Sequence, residues 1–67
     1  MQVVYDRETD TLSLILNEGA VMESDELRDG VIIDYDRDNR IISVEILDAS
    51  LRIAEPTSFA YELKEAV

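Results

Sequence analysis

The 67-residue sequence contains no cysteine, no histidine and no tryptophan; Lys64 is its one lysine, Pro56 its one proline, and Gly19 and Gly30 its only glycines. Each scarcity removes a class of function. Without cysteine there are neither disulfides nor thiolate zinc sites. Without histidine the commonest metal ligand and the commonest acid–base group are both gone. Ser13, Ser24, Ser43, Ser50 and Ser58 therefore have no imidazole to activate them. Two isolated glycines cannot build a phosphate-cradling loop. Apolar runs extend only a few residues, too short to span a bilayer. Met1-Gln2-Val3-Val4 lacks the charged lead of a secretory signal, so the expected compartment is the cytoplasm. The chain is expected not to be an enzyme. No catalytic, cofactor-binding or metal-ligating residue is assigned and no cofactor is expected.

What the sequence has in quantity is negative charge. Sixteen acidic residues face six basic ones, for a net charge of −10. A field of that sign repels nucleic acid and anionic membrane, so neither is an expected partner, and it favours a basic protein or simple solubility. Arg7, Arg28, Arg37, Arg40 and Arg52 each stand beside or near an acid, and no basic patch forms. The length allows one domain, spanning residues 1–67, and a core that is marginal on its own. With disulfides unavailable to the sequence, self-association is the remaining support, and a homodimer is expected.

Two stretches alternate apolar and polar residues around a polar turn, the pattern of a hairpin. In the first, Val3 and Tyr5 lead into Arg7-Glu8-Thr9-Asp10, and Leu12, Leu14 and Leu16 return. In the second, Val31, Ile33 and Tyr35 lead into Arg37-Asp38-Asn39-Arg40, and Ile42, Val44 and Ile46 return. A one-residue slip would carry a strand's apolar set to the wrong face. The register that keeps one face apolar pairs Tyr5 with Leu12, Val3 with Leu14, Tyr35 with Ile42, Ile33 with Val44 and Val31 with Ile46, each hairpin closing on a four-residue loop. The stretches also align without a gap at an offset of 30, Tyr5-Asp6-Arg7 falling on Tyr35-Asp36-Arg37. Two similar hairpins then share one antiparallel sheet.

The fold class expected is α+β, mostly antiparallel β. Charge-rich Val21 to Leu27 supplies an edge strand, a position where charge discourages stray pairing, and Asp29-Gly30 a turn. Asp48 is placed to N-cap a short helix near 48–54, which Pro56 stops. Beyond it, Phe59, Tyr61 and Leu63 alternate like a C-terminal strand, although Phe59 with Leu63 and Leu63 with Val67 also suit a helix. Val4, Ile15 and Ile32 lie on the far side of the sheet and require cover from helix, tail or second subunit.

The sharpest candidate motif resembles a calcium loop. Asp34, Asp36 and Asp38 take its first, third and fifth positions and Glu45 its twelfth. Its sixth position, normally glycine, is Asn39, and the flanks read as strands where an EF-hand needs helices. An acidic hairpin accounts for the residues better, and ion or small-ligand binding stands as the alternative. Asp6, Glu8 and Asp10 are read as turn-capping carboxylates. Tyr5 and Tyr35 read as packing residues at the edge of the core, with stacking on a ligand the sharper alternative. Ser13 and Ser43 fall at non-core strand positions, where exposed hydroxyls are expected.

Val4-Tyr5-Asp6, Asp10-Thr11-Leu12, Asp29 to Asp36, and Val44 to Ser50 resemble, in order and spacing, the bacterial family catalogued as domain of unknown function 2283. The resemblance covers roughly residues 3–53 and departs from the family pattern at Asn39, where glycine is common. It implies a small stand-alone prokaryotic protein and carries no catalytic residues with it. Some members look like neighbours of small toxin-like genes, which implies an antitoxin-like role, and the acidic charge suits a basic partner protein to it.

Overall fold

The computed structural model describes residues 1–66. Five strands, β1 (Gln2–Asp6), β2 (Thr11–Ile15), β3 (Glu23–Arg28), β4 (Val31–Tyr35) and β5 (Ile41–Ile46), precede one short helix, α1 (Ala49–Arg52). They form a single antiparallel sheet in the order β1-β2-β5-β4-β3, which makes the protein mostly β with a small helix, the α+β class expected. No helix among the described residues is long and apolar enough to cross a membrane.

The period-two pattern fixes most of the register. Val3 pairs with Leu14 and Tyr5 with Leu12; Val31 pairs with Ile46 and Ile33 with Val44. The two hairpins join through β2 and β5, where Leu14 lies opposite Val44 and Leu12 opposite Ile46. Leu14 and Val44 are equivalent residues of the repeat, so an approximate two-fold axis passes between them and exchanges the hairpins.

One pairing differs from expectation. Tyr35 lies opposite Ile41 rather than Ile42, because a bulge interrupts the ladder after Asp34. The cause is the turn. In the first hairpin the residue with positive φ is Asp10 (φ 54°), whereas in the second it is Asn39 (φ 63°), one place earlier in the repeat. Asn39 N–H donates to Asp36 O at 3.1 Å and Asp36 N–H to Arg40 O at 2.9 Å, closing the turn early. The residue left over enters β5 as the bulge. Its Ile42 is among the few buried apolar residues, 5% exposed, and its carbonyl accepts Leu16 N–H at 2.8 Å and Asn17 N–H at 3.2 Å.

The helix is also held differently from expectation, and it ends at Arg52, short of Ala54. Asp48 adopts a left-handed conformation and makes no side-chain cap. Asp10 caps the helix instead, from 40 residues before Ser50: its carbonyl accepts Ala49 N–H at 2.9 Å and its carboxylate accepts Ser50 N–H at 3.0 Å. On the other side, Arg52 Nε donates to Leu47 O at 3.0 Å. Its guanidinium lies 2.7 Å from where a Cβ on Gly30 would stand, and Gly30 turns β3 into β4 with φ 82°.

The expected C-terminal strand over Phe59 to Leu63 does not form; residues 53–66 are neither helix nor strand. Alternation alone does not make a strand without a ladder to join, and β1 and β3 remain the sheet's two edges. Phe59 and Tyr61 instead line, with Met1 and Val3, an open apolar depression at one corner of the sheet. Val67, invoked for the helical alternative, lies outside the described residues.

Candidate functional site

The register divides the sheet into two chemically distinct faces. One carries Val3, Tyr5, Leu12, Leu14, Val44, Ile46, Val31, Ile33 and Tyr35, with no carboxylate or cation across β1, β2, β5 and β4, while β3 adds Glu23 and Asp25 at its margin. Not one of these is buried. Among the described residues the only buried apolar ones are Ile42 and Ala49, and no large side chain is fully enclosed.

The opposite face bears a polar cluster. Asp34, 6% exposed, sits between β3 and β5 and accepts Ser24 Oγ–H at 2.5 Å and Ser43 Oγ–H at 2.6 Å. These partners face one another because Ser24 and Ser43 are the two cross-strand neighbours of Asp34. Burial pushes the Asp34 carboxyl up, but hydrogen bonds from Ser24, Ser43 and Glu45 outweigh it and hold it below the usual carboxylate range. Glu45 is held above its usual range, first by its hydrogen bond to Asp34, then by burial and repulsion from the same carboxylate. Ser43 is therefore not the exposed hydroxyl its strand position implied, since the adjacent carboxylate draws it inward.

A second polar constellation closes the far end. Asp10 Oδ1 accepts Tyr5 O–H at 2.6 Å, and Oδ2 accepts Ser50 Oγ–H at 2.6 Å. Bonds from the Ser50 side chain, then Tyr5, lower the Asp10 carboxyl, and the same contact raises the Tyr5 phenol. The group locks β1, the first turn and α1 together. Tyr5 thus spends its hydroxyl on Asp10.

The three aspartates of the calcium-like motif part company. Asp34 faces the serines, while Asp36 caps its own turn, accepting Asp38 N–H at 2.8 Å, Arg40 N–H at 2.9 Å and Arg40 Nε at 3.2 Å. Asp38 lies 3.5 Å from the Arg40 guanidinium. Glu45 pairs across from Ile32, away from the turn. What can be done chemically at these groups is proton sharing and cross-linking of elements, because every buried side-chain polar atom among the described residues has a partner.

Stability should therefore respond to acid in two opposite ways. Asp34 and Asp10, lowered in the fold, contribute stability above their unfolded value near 3.8, and that contribution is lost as pH falls through their folded values. Glu45, raised in the fold, contributes below its unfolded value of 4.5 and loses that contribution as pH rises through its folded one. Glu45→Gln, which keeps a donor towards Asp34 without the second charge, should raise the melting temperature at pH 7 by about 4 °C, the shift that ~1 kcal/mol gives a domain of this size. Thermal melts at pH 4 and pH 7 test it. An equal gain at both values would contradict the assigned titration.

A family described as a protein of unknown function, DUF2283, has a sequence profile that matches residues 2–50. The matched span takes in all five strands together with Tyr5, Asp10, Asp34, Ser43, Glu45 and Ser50. No curated protein and no solved structure matches the chain.

Proposed function

The chain belongs to the family of proteins of unknown function DUF2283, and from that premise we propose that it is a non-enzymatic interaction module that binds a basic protein partner, in the manner of an antitoxin. The observation that supports this reading is the shortage of internal counter-charge. Against sixteen acidic residues, the ion pairs among the described residues are those of Arg40 with Asp36 and Asp38. Carboxylates without cationic neighbours keep a negative field over the surface. Such a field speeds encounter with a positively charged protein and selects against acidic ones. β3 is the most open element: all six of its residues are exposed, Glu23, Asp25 and Glu26 among them. The polar clusters at Asp34 and Asp10 spend their hydrogen bonds inside the fold, where they brace the sheet that presents this charge.

Affinity capture from the native host with the tagged chain tests the reading. The expected result is one basic protein in stoichiometric amount, retained at moderate salt and released when salt shortens the Debye length to about 3 Å near 1 M. Reversing charge at Glu23, Asp25 and Glu26 together should lower retention about tenfold. Recovery of no stoichiometric partner, or of one indifferent to both salt and charge reversal, argues against it.

A further inference from the structure

We infer that the apolar face of the sheet is the interface of a homodimer, a second copy of the chain laying the same face across it. The protein exposes 5493 Å². A compact monomer of 7.6 kDa exposes roughly 4,300 Å² by the usual scaling of surface with mass. The excess, about 1,200 Å², comes from the uncovered sheet together with the mostly exposed residues 53–66, and a stable interface takes roughly 800 Å² from each partner. The radius of gyration, 13.2 Å where about 11 Å is usual for this length, reflects the same flat sheet and the tail beyond α1. The molecule measures 36 × 32 × 19 Å, a slab built on one sheet.

The chemistry of the face selects its occupant. Leu14 and Val44 lie at its centre, with Leu12, Ile46, Val3 and Ile33 around them, and its four strands place no charge there. A basic protein would find counter-charge only at the margin, where Glu23 and Asp25 of β3 pair with Tyr35 and Ile33. The opposite face would set Asp34 and Glu45 into any interface, at the desolvation cost of buried carboxylates. The chain's own tail meets the face at the corner by Val3, where Phe59, Tyr61 and Leu63 stay 58%, 71% and 70% exposed. A second copy brings a surface equal in area and equally apolar across β1, β2, β5 and β4. Two such sheets at the usual spacing of about 10 Å enclose one core between them, while the faces bearing Asp34 and Glu45 stay outward and Glu23 and Asp25 of β3 lie at the rim.

Light scattering with isotope-filtered NMR on a mixture of labelled and unlabelled chains tests the interface, whether or not a basic partner is ever captured. The expected mass is twice 7.6 kDa, with intermolecular cross-peaks among the methyls of Leu14, Val44 and Ile33. Leu14→Glu should halve the mass and keep the strand signal in circular dichroism. A monomer throughout the micromolar-to-millimolar range overturns the inference. So does a dimer whose intermolecular cross-peaks fall on Val4, Ile15 and Ile32 or on β3. If Leu14→Glu fails to fold, the wild-type cross-peaks decide alone.

Discussion

Truncating Ile42 to alanine is expected to destabilise the fold by about 3 kcal/mol, within the range for removing a buried isoleucine. Ile42 is 5% exposed, and its Cδ1 lies 3.5 Å from the point where a Cβ on Gly19 would stand. The loop after β2 is packed on this side chain, and it also hydrogen-bonds to the Ile42 carbonyl. The cavity left by truncation therefore opens between a bulged strand and a loop that its own backbone bonds hold in place, so little collapse can relieve it. A domain of 67 residues carries roughly 3–10 kcal/mol of stability in all. The neighbouring Ile41→Ala, at a residue 37% exposed, is expected to cost under ~1 kcal/mol. Urea titration at fixed protein concentration separates them, with a lower midpoint and an unchanged slope for Ile42→Ala. Equal losses at the two sites would show that the bulge does not direct Ile42 into the packed interior.

The second large effect is expected at Asp34. Replacement by alanine strands the Ser24 and Ser43 hydroxyls, which now donate to its two oxygens at 2.5 and 2.6 Å, and removes the partner that Glu45 bonds. Buried donors left without acceptors cost about 1–3 kcal/mol each, and Ser24 is exposed enough to recover part of its loss from water. The expected total is about 3 kcal/mol. Asp34→Asn keeps an acceptor oxygen and should lose about half as much. Replacing all three residues together by apolar ones (Ser24→Val, Asp34→Val, Ser43→Val) should recover most of the loss, because then no donor is orphaned. Chemical denaturation at pH 7 measures the series. A triple variant weaker than Asp34→Ala would mean that the cluster contributes more than mutual satisfaction.

Much of the sheet was legible in the sequence because a strand's side-chain period is fixed. Val31 with Ile46 and Ile33 with Val44 follow from requiring one apolar face, and so do both pairs of the first hairpin. Tyr35 escaped that logic. Its partner depends on whether the positive-φ residue falls at Asn39 or one place later, and Asn39 and Arg40 give no apolar signal either way. The cap on α1 was illegible for a different reason. Asp48 has the right chemistry at the right local place, but Asp10 reaches Ser50 through the fold, and no spacing rule spans that separation. The Asp34 cluster lay in between. The register already placed Asp34 opposite Ser43, but a polar residue at an outward strand position reads as solvated unless its cross-strand neighbours are counted as partners. The tail differs from the expected strand because alternation at Phe59, Tyr61 and Leu63 describes side chains and says nothing about a free ladder to join.

The bulge in β3 has a consequence for how the molecules meet. Register shifts between Glu26 and Arg28, and Leu27 is the residue left over there. Glu23, Asp25 and Glu26 line the same outer strand. Another chain laid along this margin would bring like charges side by side and lose its ladder partway, two conditions that arrest strand-on-strand addition. Growth of a continuous ribbon from one molecule to the next, the geometry of a fibril, therefore stops at β3.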